Sequence, residues 1–224
     1  MGKIPFAPYD FFGYLASGLI FAAGCQEALG YPRVLGQQLN VVDSLFLLLV
    51  VYILGHVMAT PAKALLEDFV VGRVLGRPSE NLFRNTKPRI KSLLLPGYFK
   101  PLPPDARHRI LRRVKDEGIH TTGEELFQHV RFSASIRGNE QVLARLDSFR
   151  NQYGFSRNLC FVLLVVGAIM LVQNSFTPRS QMQTYGWLCV VVSVLLFYRF
   201  LKFYRQYAYE MFNHYRPELQ GRIV

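Results

Sequence analysis

The chain has 224 residues, of which 50% are hydrophobic and only 18% are charged, yet its formal net charge at pH 7 is +11. High hydrophobicity excludes a disordered chain, and the lack of periodic glycine or many cysteines excludes a collagen-like or disulfide-rich scaffold. Two classes remain: a soluble nucleic-acid binder with a large core, and a membrane protein with basic cytosolic parts.

Four windows of the sequence contain no Asp, Glu, Lys or Arg and are candidates for transmembrane helices. They comprise residues 11–26, 44–62, 158–178 and 180–198. A helix needs about 20 mainly apolar residues to cross the hydrocarbon core. The last three windows meet that length, and the first meets it when it is extended to Leu29. We therefore predict an all-α integral membrane protein with four transmembrane helices in two hairpins.

The positive charge predicts the orientation of these helices. Residues 61–157 hold 18 of the 26 Lys and Arg residues, whereas the short connectors 30–40 and 173–183 hold one each. Because positive residues favour the cytoplasmic side, the middle segment and both termini are predicted to be cytoplasmic. The predicted parts are a first transmembrane hairpin, a helical basic cytosolic insert, a second transmembrane hairpin and a cytosolic helical tail, at residues 1–62, 63–154, 155–201 and 202–224.

Small residues in the first window predict a close-packing face. Gly13 and Ser17 are four residues apart, as are Gly18 and Ala22, and small residues at this spacing let transmembrane helices approach closely. This face could associate with a second copy of the chain, giving a homo-oligomer, or it could pack within one chain.

Polar residues inside the predicted spans are candidates for a pore or an intramembrane site. Ser17, His56 and Thr60 are the main candidates, and Gln173 and Ser193 are further ones. An ionisable side chain at such a depth marks a functional site by default. His56 could line a pore, respond to protons, or be a structural residue that bonds a carbonyl.

The first half of the insert should contain one helix followed by a loop. Thr60 and Pro61 fit the N-cap and first position of a new helix running to about Leu75. Its predicted apolar face carries Leu65, Leu66, Phe69, Val70 and Val74. The sequence Gly76-Arg77-Pro78 should end this helix, and the proline-rich stretch 79–104 is predicted to be an extended loop.

The rest of the insert should be helical and continuous with the membrane helices. One helix is predicted over residues 105–117, ended by Gly118, and another begins at the capping box Thr122-Gly123-Glu124-Glu125. Asn139 should cap a helix that leads directly into the third span. Apolar residues continue at helical spacing after Tyr198, so the tail could contact either the headgroup region or the insert.

Two charged clusters predict contacts of the insert. Glu67 and Asp68 could pair with its arginines or form half of an acidic site. The densest basic run contains Arg107, Arg109, Arg112, Arg113 and Lys115. Such a run near a membrane has three possible ligands: anionic lipid, a nucleic acid or nucleotide signal, and an acidic partner protein. Anionic lipid is favoured, and nucleic acid is not.

The sequence offers little support for an enzyme. Histidine and cysteine residues do not occur at metal-ligand spacing, and no nucleophile elbow, phosphate loop or dinucleotide fingerprint is present, so no metal, cofactor or catalytic residue is predicted. Two alternatives stay open. One is a housekeeping channel or transporter subunit, and the other is a membrane-face nuclease or lipid-modifying enzyme that uses His108, His120 or His129.

Short aromatic motifs carry a family-level resemblance. They are Tyr9-Asp10-Phe11-Phe12-Gly13-Tyr14-Leu15, Gly55-His56, Tyr153-Gly154-Phe155-Ser156-Arg157-Asn158 and Tyr204-Arg205-Gln206-Tyr207. The chain thereby resembles uncharacterised small multi-pass inner-membrane proteins of bacterial antiviral-defence and CRISPR-associated loci. The resemblance implies a non-enzymatic sensor, effector or scaffold in the bacterial inner membrane, with a soluble defence protein as partner and with membrane permeabilisation as one output.

Overall fold

The computed structural model describes residues 8–30, 39–84, 89–119 and 121–215. Every regular element in these ranges is helical. The chain divides into two compact units. The first unit contains residues 1–70 and 154–200, and the second contains residues 71–153 and 201–224.

The first unit is built from α1, α2 and parts of two long helices. α1 covers Pro8–Leu29 and α2 covers Val41–Ala62. The long helices are α8, Glu140–Phe176, and α9, Ser180–His214, and each contributes its other part to the second unit. Asn40 caps α2, because its side-chain oxygen accepts a hydrogen bond from the Asp43 N–H at 2.8 Å.

Three segments of the described chain are long and apolar enough to cross a membrane. They are Val41–Phe83, Glu140–Phe176 and Ser180–His214. The prediction of an all-helical chain with helices able to span a membrane is therefore confirmed. α1 is helical as predicted but is not one of these three segments.

Glycines set the packing of the first unit. A Cβ atom on Gly18 would lie 1.8 Å from the Val51 carbonyl oxygen, and one on Gly55 would lie 1.8 Å from the Tyr14 carbonyl oxygen. α1 and α2 therefore touch backbone to backbone and run antiparallel, because later residues of one helix contact earlier residues of the other. Only glycine permits so close an approach.

The predicted helix start at Thr60-Pro61 is wrong. α2 continues through Pro61 to Ala62, and a π-helix follows without interruption over Lys63–Leu75. The side chains buried along this segment are Ala62, Leu66 and Val71, spaced four and five residues apart. This spacing fits the wider π-helical turn, whose N–H groups bond five residues back, so the apolar face predicted from an α-helical period is incorrect.

The proline-rich stretch also differs from the prediction of an extended loop. It contains two short helices, α3 over Pro78–Phe83 and α4 over Arg89–Leu94. Gly76 does end the preceding helix, with φ 80°. The Tyr98 hydroxyl donates to the Gly76 carbonyl at 2.7 Å. Burial raises the pKa of Tyr98, which keeps this hydroxyl protonated as a donor.

The remaining helices of the second unit are α5, Pro104–Asp116, α6, Glu124–Phe132, and α7, Ala134–Arg137. Gly118 ends α5 with φ 73°, as predicted. Asn139 caps α8 as predicted, since its side-chain oxygen accepts from the Gln141 and Val142 N–H groups. The capping box is not formed at α6, whose N-cap is Gly123. The Glu124 carboxylate instead accepts from the Ser79 hydroxyl at 2.7 Å.

The core of the second unit decides where the aromatic tail packs. Tyr207, Ala208, Met211, Phe212 and Tyr215 are buried there together with side chains of α3, α5, α6 and α8. Of the two partners considered for the tail, headgroups and insert, the structure selects the insert. The tail is thus part of the insert's core rather than a separate segment.

Candidate functional site

Two of the predicted intramembrane polar residues donate hydrogen bonds to backbone carbonyls of the same chain. Ser17 is 0% exposed, and its hydroxyl donates to the Tyr14 carbonyl at 3.0 Å. Ser193 is also buried and donates to the Cys160 carbonyl at 2.8 Å. Neither hydroxyl can face a water-filled lumen. His56 and Thr60, in contrast, are exposed.

The small residues proposed as a self-association seam pack inside the chain instead. Gly18 touches α2, and a Cβ atom on Gly13 would lie 3.3 Å from the Phe155 ring. Ser17 is fully buried, and Ala22 is half-buried. Of the two uses considered for this face, the contacts of Gly13, Ser17 and Gly18 are those of packing within one chain.

His56 and Thr60 line an open cleft of about 350 Å³ in the first unit. The cleft lies between α1, α2, the π-helix and α8. Its lining residues are Tyr14, His56, Ala59, Thr60, Lys63, Ala64, Asp68 and Arg157. The lining carries a lysine, an arginine, one carboxylate, a histidine and two hydroxyl groups.

Two contacts hold the arginine of this cleft. The Arg157 guanidinium donates through Nη1 to the Glu67 carboxylate. Its Nε and Nη2 donate to the Asn158 side-chain oxygen at 3.3 Å and 3.1 Å. Arg157 and Glu67 are both largely buried, so the pair fixes the guanidinium at the wall of the cleft. Glu67 does pair with an arginine, but its partner Arg157 lies just outside the predicted insert, directly before the third apolar window.

Aromatic rings position the histidine. The His56 ring meets the Tyr14 ring edge to face, with 4.8 Å between centroids, and lies nearly parallel to the Tyr52 ring at 6.4 Å. His56 occupies an exposed position on α2. It contributes a nitrogen that can donate or accept a hydrogen bond at the cleft.

The basic run of α5 divides into buried and exposed residues. Ala106, Ile110 and Val114 form the buried face of α5. Arg113, beside that face, donates to the Tyr215 carbonyl at 2.7 Å, and Arg107 is half-buried with its Nε inaccessible to solvent. These two residues are structural. The remaining members of the predicted cluster are exposed: Arg109, Arg112 and Lys115.

Three polar residues of the cleft lining were not predicted as site residues, namely Tyr14, Lys63 and Arg157. A signal for two of them was available. Lys63 is the first charged residue after the second window, and Arg157 is the last one before the third. Long basic side chains at such positions reach towards lipid headgroups.

The histidines of the enzyme alternative do not converge on one site within the described residues. His129 lies 3.3 Å from the Glu117 carboxylate, which also accepts from the Tyr215 hydroxyl. His108 is exposed on α5, and His120 lies outside the described residues. No group of three or more metal-binding side chains occurs among the described residues.

Comparisons with known proteins found no matching family model, no similar curated protein and no similar solved structure.

Proposed function

We propose that the chain is a four-span membrane protein that anchors a basic helical domain on the cytosolic side. The observation that carries this proposal is the packing of α1 on α8. Gly13 faces the Phe155 ring, and Gly24 faces Val166. A Cβ atom added to Gly24 would lie less than 3 Å from both methyl carbons of Val166. The two helices therefore run parallel, side by side. Because residues 158–178 of α8 are free of charge, α1 lies within the same apolar layer and forms the fourth span.

The four spans then give two hairpins in the same orientation. α1 and α8 run outward, and α2 and α9 return to the cytosolic side. Both termini and the basic domain lie in the cytosol, as expected from the distribution of Lys and Arg. The bacterial inner membrane is the proposed location, on the basis of the sequence resemblance.

The function proposed for this architecture is that of a non-enzymatic docking scaffold. Arg109, Arg112 and Lys115 form an exposed basic surface on α5, which we call the α5 surface. Its proposed partner is a soluble protein with an acidic face, a contact that fixes orientation and accelerates association. A scaffold is favoured over a pore because the hydroxyls of Ser17 and Ser193 are consumed inside the chain.

The wider role follows from the aromatic motifs in the sequence. We place the scaffold in a bacterial antiviral defence system, where its soluble partner would be held at the membrane. Homo-oligomers would have to form through outer faces such as those of α2, whose Leu45, Phe46 and Leu49 are exposed. Plating of phage on cells that carry or lack the gene in its native neighbourhood tests the defence role.

Labelling of single cysteines tests the topology. In a variant without native cysteines, Gly2→Cys and Lys115→Cys should react with a membrane-impermeant maleimide only after cell lysis. Asn40→Cys and Ser180→Cys should react in intact spheroplasts. If Gly2→Cys reacts in intact spheroplasts, α1 does not span and the proposal fails.

Charge reversal tests the α5 surface. The triple variant R109E/R112E/K115E should lose the soluble protein that co-purifies with the wild type from native membranes. The matched control R73E/R131E/R137E reverses the same number of exposed basic residues in the same unit. It should retain the partner, since only the local surface differs. Equal loss in both variants would show a general effect of net charge and would contradict a specific surface.

A further inference from the structure

The polar cleft lies where the apolar windows end. Lys63 follows the charge-free window of α2, and Arg157 precedes that of α8. Ile53 and Val57, in the last turns of the α2 window, are exposed apolar residues. The hydrocarbon layer of a membrane meets the headgroups at the ends of such windows. A ligand in this cleft would therefore contact polar groups of the protein at one end and apolar protein surface beside them.

The cations of the cleft have hydrogen-bond donors to spare. Arg157 has five N–H donors, and its described contacts with Glu67 and Asn158 use three of them. Lys63 has three donors, and no ion pair of Lys63 occurs among the described residues. Thr60 adds a hydroxyl at the same cleft. Together these groups match a phosphate, whose oxygens accept several charge-assisted hydrogen bonds.

A carboxylate lies in the same cleft. The π-helical winding over Lys63–Leu75 puts residues five apart on neighbouring turns of one face, so Asp68 joins Lys63 at the cleft. Glu67 is already paired with Arg157, whereas Asp68 is exposed and has no ion pair within the described contacts. A ligand that carries a positive charge near its phosphate would satisfy this carboxylate.

We propose that the cleft binds the headgroup of an aminophospholipid such as phosphatidylethanolamine. Lys63, Arg157 and Thr60 hold the phosphodiester, and Asp68 accepts from the primary ammonium group. The acyl chains lie along the exposed apolar residues of α2. Phosphatidylglycerol lacks the ammonium, and phosphatidylcholine has a quaternary ammonium without N–H donors, so both should bind more weakly. This site is independent of the α5 surface and of its partner.

The test is equilibrium binding to the full-length protein in detergent micelles. The probes are phosphatidylethanolamine, phosphatidylglycerol and phosphatidylcholine, each with the fluorophore on an acyl chain. Phosphatidylethanolamine should bind about tenfold more tightly than the other two, since one charge-assisted hydrogen bond is worth about that factor. Asp68→Asn should remove this preference. Lys63→Gln should weaken binding of all three lipids.

Controls separate the site from net charge and from misfolding. Asp116→Asn and Lys100→Gln make the same chemical changes at exposed positions of the second unit and should leave binding unchanged. Asp68→Glu and Lys63→Arg retain the charges and should retain most of the affinity, which keeps the test valid if a neutral variant does not fold.

Two results would overturn the proposal. One is equal binding of phosphatidylethanolamine and phosphatidylglycerol that Asp68→Asn leaves unchanged, because the carboxylate would then have no role. The other is displacement of the labelled lipid by soluble phosphoethanolamine at concentrations similar to that of the lipid. This second result would identify a soluble phosphorylated amine, rather than a lipid, as the ligand.

Discussion

α8 and α9 pack against each other differently in the first unit and in the second unit. In the first unit the helices meet through glycines, since a Cβ atom on Gly167 would lie 2.9 Å from the Gly186 carbonyl oxygen. The buried hydroxyl of Ser193 donates to the Cys160 carbonyl beside them. Here the two backbones come close at glycines, which pack against small and aliphatic side chains such as Cys189 and Leu171.

In the second unit the same two helices meet through large aromatic and charged side chains. The rings of Tyr153 and Tyr204 lie 4.9 Å apart between centroids. Arg145 donates to Glu210 at 2.8 Å, and the Glu210 carboxylate is almost completely buried. The pair is therefore held by rings and one ion pair over this stretch.

The difference shows what each solvent allows. Lipid is as apolar as leucine, so bringing two large apolar side chains together in the bilayer gains little, and close backbone packing with hydrogen bonds has to hold the helices. In water, removing aromatic surface from solvent is itself strongly favourable. The proposed placement of the first unit in the bilayer and of the second in water predicts this difference.

The largest effect is expected from removing a ring in the second unit. Phe212 is 0% exposed and packs edge to face on Phe83, with 4.9 Å between centroids. Phe212→Ala should lower the free energy of unfolding by about 3–5 kcal/mol, measured by urea titration in detergent micelles. Phe132→Ala, at an exposed position of the same unit, should cost no more than about 1 kcal/mol. Equal losses would contradict an aromatic core.

The next effect tests the glycine contacts of the first unit. Gly18→Ala places a methyl group against the Val51 carbonyl, so α1 and α2 must separate, at a cost of about 1–3 kcal/mol or more. Gly154→Ala adds the same methyl group where nothing lies within 4 Å. That variant should be stabilised by up to about 1 kcal/mol through helix propensity. Resistance to unfolding by sodium dodecyl sulfate measures both, and opposite signs are expected.

The smallest effect compares one serine hydroxyl in each region. Ser193→Ala removes a hydrogen bond inside the proposed bilayer, where such bonds average about 0.6 kcal/mol. Ser79→Ala removes a buried hydroxyl that donates to the Glu124 carboxylate, and should cost about 1.5–3 kcal/mol. Urea titration of both variants in the same micelles measures the difference. A larger loss for Ser193→Ala would break the assignment of the two regions to lipid and water.

The sequence predicted the helices of the first unit and several helix ends in the second unit. Charge-free windows identified the regions that became α1, α2 and the apolar parts of α8 and α9. Gly76 and Gly118 ended the helices expected to stop there. The start at Pro61 was wrong because the helix continues through this residue, whereas α6 does begin within the predicted box but without the side-chain cap. Pro61 lies inside that continuing helix, and the N-cap of α6 is Gly123, which has no side chain to form the cap.

The candidate site was predicted only in part. His56, Thr60 and Asp68 were recognised as unusual polar residues, but the cleft that joins them was not. The α5 surface was predicted as five basic residues, and the structure leaves Arg109, Arg112 and Lys115 exposed because α5 buries the face next to Arg107 and Arg113. The apolar residues Ala106, Ile110 and Val114 recur every four positions, so the buried side of α5 could have been read from this period, whereas the contact of Arg113 with Tyr215 could not.

The sequence by itself determined the class of protein and the division of charge, because both depend on composition and on residues close together in the chain. The tertiary structure alone decided the contacts that make sites. Arg157 meets Glu67 across 90 residues, and Arg113 meets the Tyr215 carbonyl across 102. Such pairs form only when packing brings distant helices together. That packing created the cleft, placed the aromatic tail in the insert's core and set α1 beside the apolar part of α8.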